Sequence, residues 1–424
     1  MQFPRTFRVK QRFDAERVND ISATVQDELT KIGAGEKVRA GQSVAIAGGS
    51  RGIANIAEIL AAAVEFFLRL DAKPFIFPAM GSHGGATVEG QLHVLETYGI
   101  TEPRCGCEIR ASMDTVSVAE SPDGYPIHFD KNASQADHVL ACNRIKLHTD
   151  FHGRVQSGLL KMLLIGCGKR NGANFYHRAT EEYGFDHMAE SNIPLVLAKC
   201  HVLGGLAIVE NGYEETGLIE GIAAKQLIER EPELLEISKQ WMPKLPFEEC
   251  DILLLDEMGK DISGTGMDTN VIGRKYHEHA SDARDSSRVK RIAVRGLTAQ
   301  SHGNATGIGF SEFCLSSLVE NMDVASTRMN CLTSGRVVLA TPPMDFLNDK
   351  EMLTAALNTI GLCPPDQSRF IWAHNTLDLA EIECSQAYLD EARNRDDLEI
   401  IMEPRELPFD EAGHLPLVTS LNGR

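Results

Sequence analysis

No apolar run in this chain reaches the length of a membrane span, and the opening MQFPRTFRVK lacks the apolar core of a signal peptide. Both absences lead us to expect a cytoplasmic protein. The ten cysteines include no C-x-x-C pair, and Cys105 and Cys107 are the only close two, so zinc-ribbon and iron–sulfur frameworks are not indicated. Reduced, buried thiols are expected instead. Basic charge is scarce: 42 Lys and Arg against 60 Asp and Glu leave a formal net charge of −18, which argues against a nucleic-acid binder or a protein of anionic membranes. Internal repeats and low-complexity tracts are missing as well. What remains is an ordinary globular composition, 43% hydrophobic and 24% charged, on 424 residues. That length exceeds one core, so two α/β domains are expected.

The densest chemistry lies in RIKLHTDFHGRVQSGLLKMLLIGCGKRNGANFYHR, residues 144–178. It gathers His148, His152 and His177, the cations Lys161, Lys169 and Arg170, and several glycines around the apolar run LLKMLLIG. A lysine inside such a run must reach water or hold a partner, because an isolated buried ammonium is heavily penalised. An amphipathic helix with Lys161 on its wet face would also satisfy that requirement. The flanking histidines and glycines favour a site where a cofactor is held.

Taken in order, residues 15–31 carry Val18, Ile21, Val25 and Leu29 at helical spacing, after a short first strand. Residues 43–70 then read strand, glycine-rich turn, helix, the opening of a parallel sheet, with Arg51 placed to bind an anion. The same pattern recurs over 73–100, where His83 follows a strand. A third apolar strand, 136–146, delivers the chain into HTDFH. Three strand ends thus present Arg51, His83 and His148 along one sheet edge, so one shared cleft is expected. AGGSRGIA at 47–54 is close to the cofactor loop of short-chain dehydrogenases, but no tyrosine here is followed four residues later by lysine, so that catalytic pair is missing. His148 and His152 stand at i, i+4, which on a helix would put both on one face; with His177 they form an alternative zinc site, that of a metal-dependent hydrolase. HTDFH lacks the glutamate of H-E-x-x-H, and the zinc reading leaves Lys161 without a role.

Residues 193–212 read as two short strands closing the first domain, and 215–246 as a helical connection. CDILLLDEMGKDISGTGMDTNVIGR from Cys250 is a buried strand emptying into a polar loop, and SHGNATGIGF supplies a second such loop. Lys260, Asp268 and Asn270 are the substrate-binding candidates there. HEH at 277–279 reads as a surface tract. The expected division is 1–240 and 250–424, two α/β domains about an interdomain cleft, the first with a mainly parallel sheet and the second closing over substrate.

The order SGLLK at 157–161 and then NFYH at 174–177 resembles the nickel-dependent lactate racemase family, LarA, and the chain reads as a divergent homologue of it. Ser50-Arg51 resembles that family's Thr-Arg, and GSH at 81–83 its Gly-Thr-His. The likeness covers the first ~200 residues in outline. It departs at Gly48, where racemases carry an aspartate, and at Phe151, where they carry a second catalytic histidine. The resemblance implies a racemase or epimerase of a 2-hydroxy acid or related carbinol, acting by hydride transfer to a nickel-pincer nucleotide tethered to Lys161. It further implies nickel on His177, His83 with His148 or His152 as bases, and Arg51 for the substrate carboxylate. Lys169 and Arg170 are the remaining cofactor-binding candidates. Nucleotide-biosynthesis enzymes would then be the partners in maturation. A member that has lost the nucleotide would keep much of this pattern.

Overall fold

The computed structural model describes residues 2–50, 52–275 and 287–421, with positions 177 and 181 described by their backbone alone. Arg51 and the HEH tract at 277–279 therefore lie outside the described residues. The chain divides into two compact units, Asp14–His148 with His152–Met242, and Met1–Phe13 and Thr149–Phe151 with Pro243–Arg424. Both are α/β, with mainly parallel sheets. No helix among the described residues is long and apolar enough to cross a membrane. All ten cysteines are free thiols.

The chain opens with β1 (Thr6–Gln11), a strand of the second unit, and then builds the first unit. Its opening helix spans Ile21–Lys31 rather than starting at 15, because Asp20 caps it: the carboxylate accepts the Ala23 amide at 2.8 Å. The strands that follow are β2 (Ser43–Gly48), β3 (Lys73–Pro78), β4 (Glu108–Ile109), β5 (Thr115–Glu120), β6 (Pro126–Asp130), β7 (His138–Arg144), β8 (Val202–Glu210) and β9 (Thr216–Ala223). Six of them form one sheet in the order β4-β3-β2-β7-β8-β9, parallel except for β9, while β5 and β6 pair apart as an antiparallel ribbon. Apolar runs such as VAIA in β2 suit strands covered on both faces. On one face Val25, Leu29, Leu60 and Phe67 from the helices Ile21–Lys31 and Ile56–Leu68 pack over Ile46, Leu140 and Leu206. β2 comes first, β3 and β4 lie to one side of it, and β7 to the other. The strand order therefore reverses between β2 and β7.

Two expectations for this unit need correction. Residues 193–199 are not a strand but the end of the helix Phe185–Lys199, and only β8 follows. The stretch read as a helical connection begins with β9, and its helix is confined to Leu227–Trp241. β9 is a strand because Gly221 lets it lie against the opening helix; a Cβ there would come 2.6 Å from the Glu28 carbonyl oxygen.

The second unit adds β10 (Glu249–Met258), β11 (Arg288–Leu297), β12 (Phe313–Leu315), β13 (Met344–Phe346), β14 (Phe370–Ala373), β15 (Glu381–Ser385) and β16 (Leu398–Arg405). With β1 they form an eight-stranded sheet in the order β13-β12-β11-β10-β14-β15-β1-β16. β10 to β14 run parallel, and β15, β1 and β16 pair antiparallel. The order reverses here too, between β10 and β14. Arg295, its side chain 10% exposed, donates to Asp256 at 2.6 Å and to Asp349 at 2.8 Å, and the same two carboxylates accept the amides of Val418 and Leu415, pinning the C-terminal segment.

The expected boundary of 1–240 thus needs a correction at its start. β1 pairs Thr6 with Ser385 and with Arg405 in a sheet whose other strands all follow residue 248, and Phe7 and Val9 are fully buried. Truncating Phe7 to Ala should cost the second unit about 3–5 kcal/mol. Hydrogen exchange should accordingly rise in residues 381–385 and 398–405 and not in β2 or β3. Faster exchange in β2 or β3 instead would return β1 to the first unit.

Candidate functional site

In an open parallel sheet, ligands gather beyond the carboxyl ends of the strands where the order reverses. In the first unit that place is set by Gly48 at the end of β2 and Gly49 after it, by Asn143 in β7, and by the loop after neighbouring β3. The Ala79 amide donates to the Gly48 carbonyl at 2.7 Å, so the exits of β2 and β3 stay together. Ser50 Oγ then meets His83 Nδ1, while the Tyr98 hydroxyl donates to the Ser50 carbonyl at 3.2 Å. His83 is exposed and sits at the start of a tight turn, Gly84–Ala86. Two adjacent strand ends thus deliver a hydroxyl and an imidazole to one point.

The Lys161 segment packs onto these ends. Leu159–Lys161 forms one α-helical turn that opens into a π-helix, Met162–Gly166, closed by the Cys167 amide on the Met162 carbonyl at 2.8 Å. Such wide turns are rare and concentrate at functional sites. Glycine is needed where the segment touches the sheet, since a Cβ on Gly166 would lie 2.5 Å from the Ala79 carbonyl oxygen. The Gly81 amide, at φ +59°, donates to the Gly166 carbonyl at 3.1 Å. From β7, Asn143 Nδ2 donates to the Gly158 carbonyl at 2.8 Å. Lys161 is half-buried, between wet and sealed. The segment therefore joins the carboxyl ends of β2, β3 and β7.

Lys169 needs a correction. At 0% exposure it is sealed in the unit, ion-paired to Asp130 at 3.1 Å and donating to the Pro78 carbonyl and, at 3.2 Å, to Gln91 Oε1. Burial pulls its ammonium below the ordinary lysine value and pushes Asp130 above the usual carboxylate value, each opposed by the other's charge. Gln91 in turn donates to the carbonyls of Gly81 and His83 at 3.0 and 3.3 Å. Lys169 is thus a strut behind the His83 loop, not a group that a cofactor can touch. Arg170 beside it is exposed.

His148 and His152 are half-buried on an irregular loop, so the helical premise that put both on one face fails. Mutual hydrogen bonds of Lys146 and Ser157 close that loop at 2.9 and 3.2 Å. Asp186 holds it from below by accepting the amides of Arg154 and Val155 at 2.9 and 2.8 Å, and Gln156 Oε1 accepts the His148 amide at 2.6 Å. His177 lies on the helix Lys169–Tyr183, and its side chain is outside the described atoms. Among the described residues no three His, Cys, Asp or Glu gather as a metal cluster.

The other three candidates lie in the second unit, on the loop that follows β10. Lys260 Nζ donates to the Gly264 carbonyl at 2.8 Å. Asp268 accepts the Asn270 amide and its Nδ2, both at 2.9 Å, and the Asp268 amide donates to Thr376 Oγ1 at 2.8 Å. Asn270 Oδ1 meets the buried Lys275 ammonium. Sequence reasoning passed over the neighbouring His374 and Asn375, which reach Glu257 Oε1 at 3.2 Å each. The available signal was a polar His-Asn directly after the buried strand FIWA.

No protein-family model matches the chain, and no curated protein sequence does. Among solved structures it is similar to the lactate racemase apoprotein from Thermoanaerobacterium thermosaccharolyticum, with a TM-score of 0.46 and 12% identity over 88% of this chain and 89% of that one. The likeness is distant and concerns the fold.

The two adjacent cations separate strut from site. Lys169→Ala leaves Asp130 buried without its partner and should cost about 3–5 kcal/mol. Arg170→Ala, at an exposed position, should stay within about 0.5 kcal/mol. Urea unfolding measures both, and equal losses would contradict the assignment.

Proposed function

We propose that the chain is an isomerase that inverts the carbinol carbon of a 2-hydroxy acid or a related alcohol, with a nickel-pincer nucleotide carried covalently on Lys161. One observation carries this reading: a half-buried lysine ends the turn that opens into a π-helix, and that π-helix packs on the exits of β2 and β3 at Gly49, Ala79 and Gly81. The order of SGLLK, NFYH and GSH in the sequence supports it.

The residues fit such a group. Lys161 is accessible in a way that sealed Lys169 is not, and Gly49 lets the strand exit lie close against Met162 and Asn143, where a Cβ would come 3.3 Å from Met162 Cε and 3.6 Å from Asn143 Oδ1. Lys161 would bond the nucleotide through its nitrogen, and His177 would hold the nickel. When bound, the group supplies an acceptor for the substrate's C2 hydride.

The chain's own residues supply the acid–base chemistry. His83, whose Nδ1 meets Ser50, takes the hydroxyl proton of the substrate, a transfer for which imidazole is the usual side chain. Inversion needs a second base on the opposite face, and His148 or His152 on the loop held by Asp186 fills that role. Arg51 offers a planar cation to the carboxylate.

Expression of the full chain together with the nucleotide's biosynthetic enzymes tests the proposal. Wild type should gain mass at Lys161 and interconvert the enantiomers of a 2-hydroxy acid. Lys161→Arg keeps charge and most of the volume yet cannot form the link, so it should lose less than about 1 kcal/mol of stability while showing no adduct and no activity. His177→Ala should retain the adduct and lose most of its nickel. An active Lys161→Arg protein would overturn the tether.

A further inference from the structure

Beneath the Lys161 turn lies a carboxyl that the proposed chemistry does not use. Glu231, on the helix Leu227–Trp241, is 1% exposed. Its Oε2 accepts the Leu160 amide at 2.9 Å, and the Leu159 amide also acts on the carboxyl. Oε1 is buried without a hydrogen-bond partner, and a Cβ on Gly158 would come 2.4 Å from it. Gly158 is thus clasped from two sides, by Glu231 and, through its carbonyl, by Asn143. A fully buried glutamate with an unsatisfied oxygen is expensive, so its presence at this one turn calls for a role.

We infer that Glu231 is the positioning residue for Lys161: its carboxyl grips the amides that open the lysine's turn and thereby sets the turn's geometry and its ease of opening. This rests on the reading of Lys161 as the cofactor-bearing lysine. Glu231 does not touch the reacting atoms and acts only through Leu159 and Leu160.

The grip is coupled to pH. Burial pushes the Glu231 carboxyl up to about 7, with the amides of Leu160 and Leu159 opposing. The titratable groups on the elements packed about it are Lys161, then Asp186, His187, Glu190 and Lys199 on the helix Phe185–Lys199, then Glu210, Glu220 and Lys225, with Glu229, Arg230, Glu233, Glu236 and Lys239 on its own helix. Arg230 pairs with Glu220 and Glu233, so burial and the two amides govern the ionisation of Glu231. A carboxyl raised in the closed state stabilises that state fully below its ordinary value of 4.5, and the contribution is lost as pH rises to about 7. The turn should therefore open more readily at neutral pH than in mild acid, at a point where a lysine has to be reached by a cofactor.

The test uses the cofactor-free full chain, with hydrogen exchange corrected for intrinsic rates and lysine acetylation by a water-soluble ester. In wild type, protection of residues 158–166 should fall as pH rises from 4.5 to about 7 and then level off. The fall should be about 300-fold at most, the limit set by the displacement from 4.5 to about 7. Acetylation of Lys161 relative to exposed Lys350 should rise over the same window. Glu231→Gln keeps the size and one acceptor, folds by circular dichroism, and should abolish both slopes while residues 249–258 are unaffected. A flat wild-type profile, a slope surviving in Glu231→Gln, or equal loss of protection in residues 249–258 would overturn the inference. Since no nucleotide is present, the role of Glu231 is tested even in a chain that never acquires one.

Discussion

A parallel strand covered on both faces can offer side chains to a ligand only beyond its ends, and the first unit's site follows from that constraint. β2, β3 and β7 are apolar through their middles, and at the carboxyl ends they release polar or flexible residues: Gly48, Gly49 and Ser50, then His83, then Asn143 and Arg144. Because the strand order reverses between β2 and β7, their exits diverge and leave a crevice. The Lys161 turn and its π-helix are built into that crevice, and glycines at 81 and 166 permit the close approach.

Holding loops at such an edge requires polar groups inside the unit, which are costly unless fully paired. Lys169, Asp130 and Gln91 form one chain of contacts from β6 to the His83 loop. Glu231 and Asn143 form another, to Gly158 and Leu160. Asp186 secures a third loop, that of His148 and His152. In each case a charged or amide side chain grips backbone. In the second unit polar side chains also gather where β10 and β14 end, Glu257 meeting His374 and Asn375.

Much of this was legible in the residues. The strand, glycine turn and helix over 43–68 and again over 73–97 announced a parallel sheet, and the lysine in LLKMLLIG marked its own segment. What stayed hidden depended on distant partners. Nothing in TFRVKQ tells which sheet it joins, because a six-residue strand reads alike beside any neighbour. IPLVLAK carries the apolar run of a strand but continues a helix begun at Phe185, past a proline at 194. Lys169 read as a further cofactor-binding candidate beside Lys161 until Asp130, from β6, sealed it in the unit. Glu231 sits in the acidic string EREPE and reads as a solvated surface charge; only the packing of its helix against the Lys161 turn reveals it.

The central claim is that one site, at the carboxyl ends of β2, β3 and β7, is organised around Lys161. An anomalous-difference map at the nickel edge, from crystals of protein matured with the nucleotide pathway, addresses it most directly. The account predicts a single strong peak bonded to His177, with density continuous to the Lys161 nitrogen. Nickel bound elsewhere, or density at Lys161 ending at its ammonium in metal-loaded protein, would contradict it.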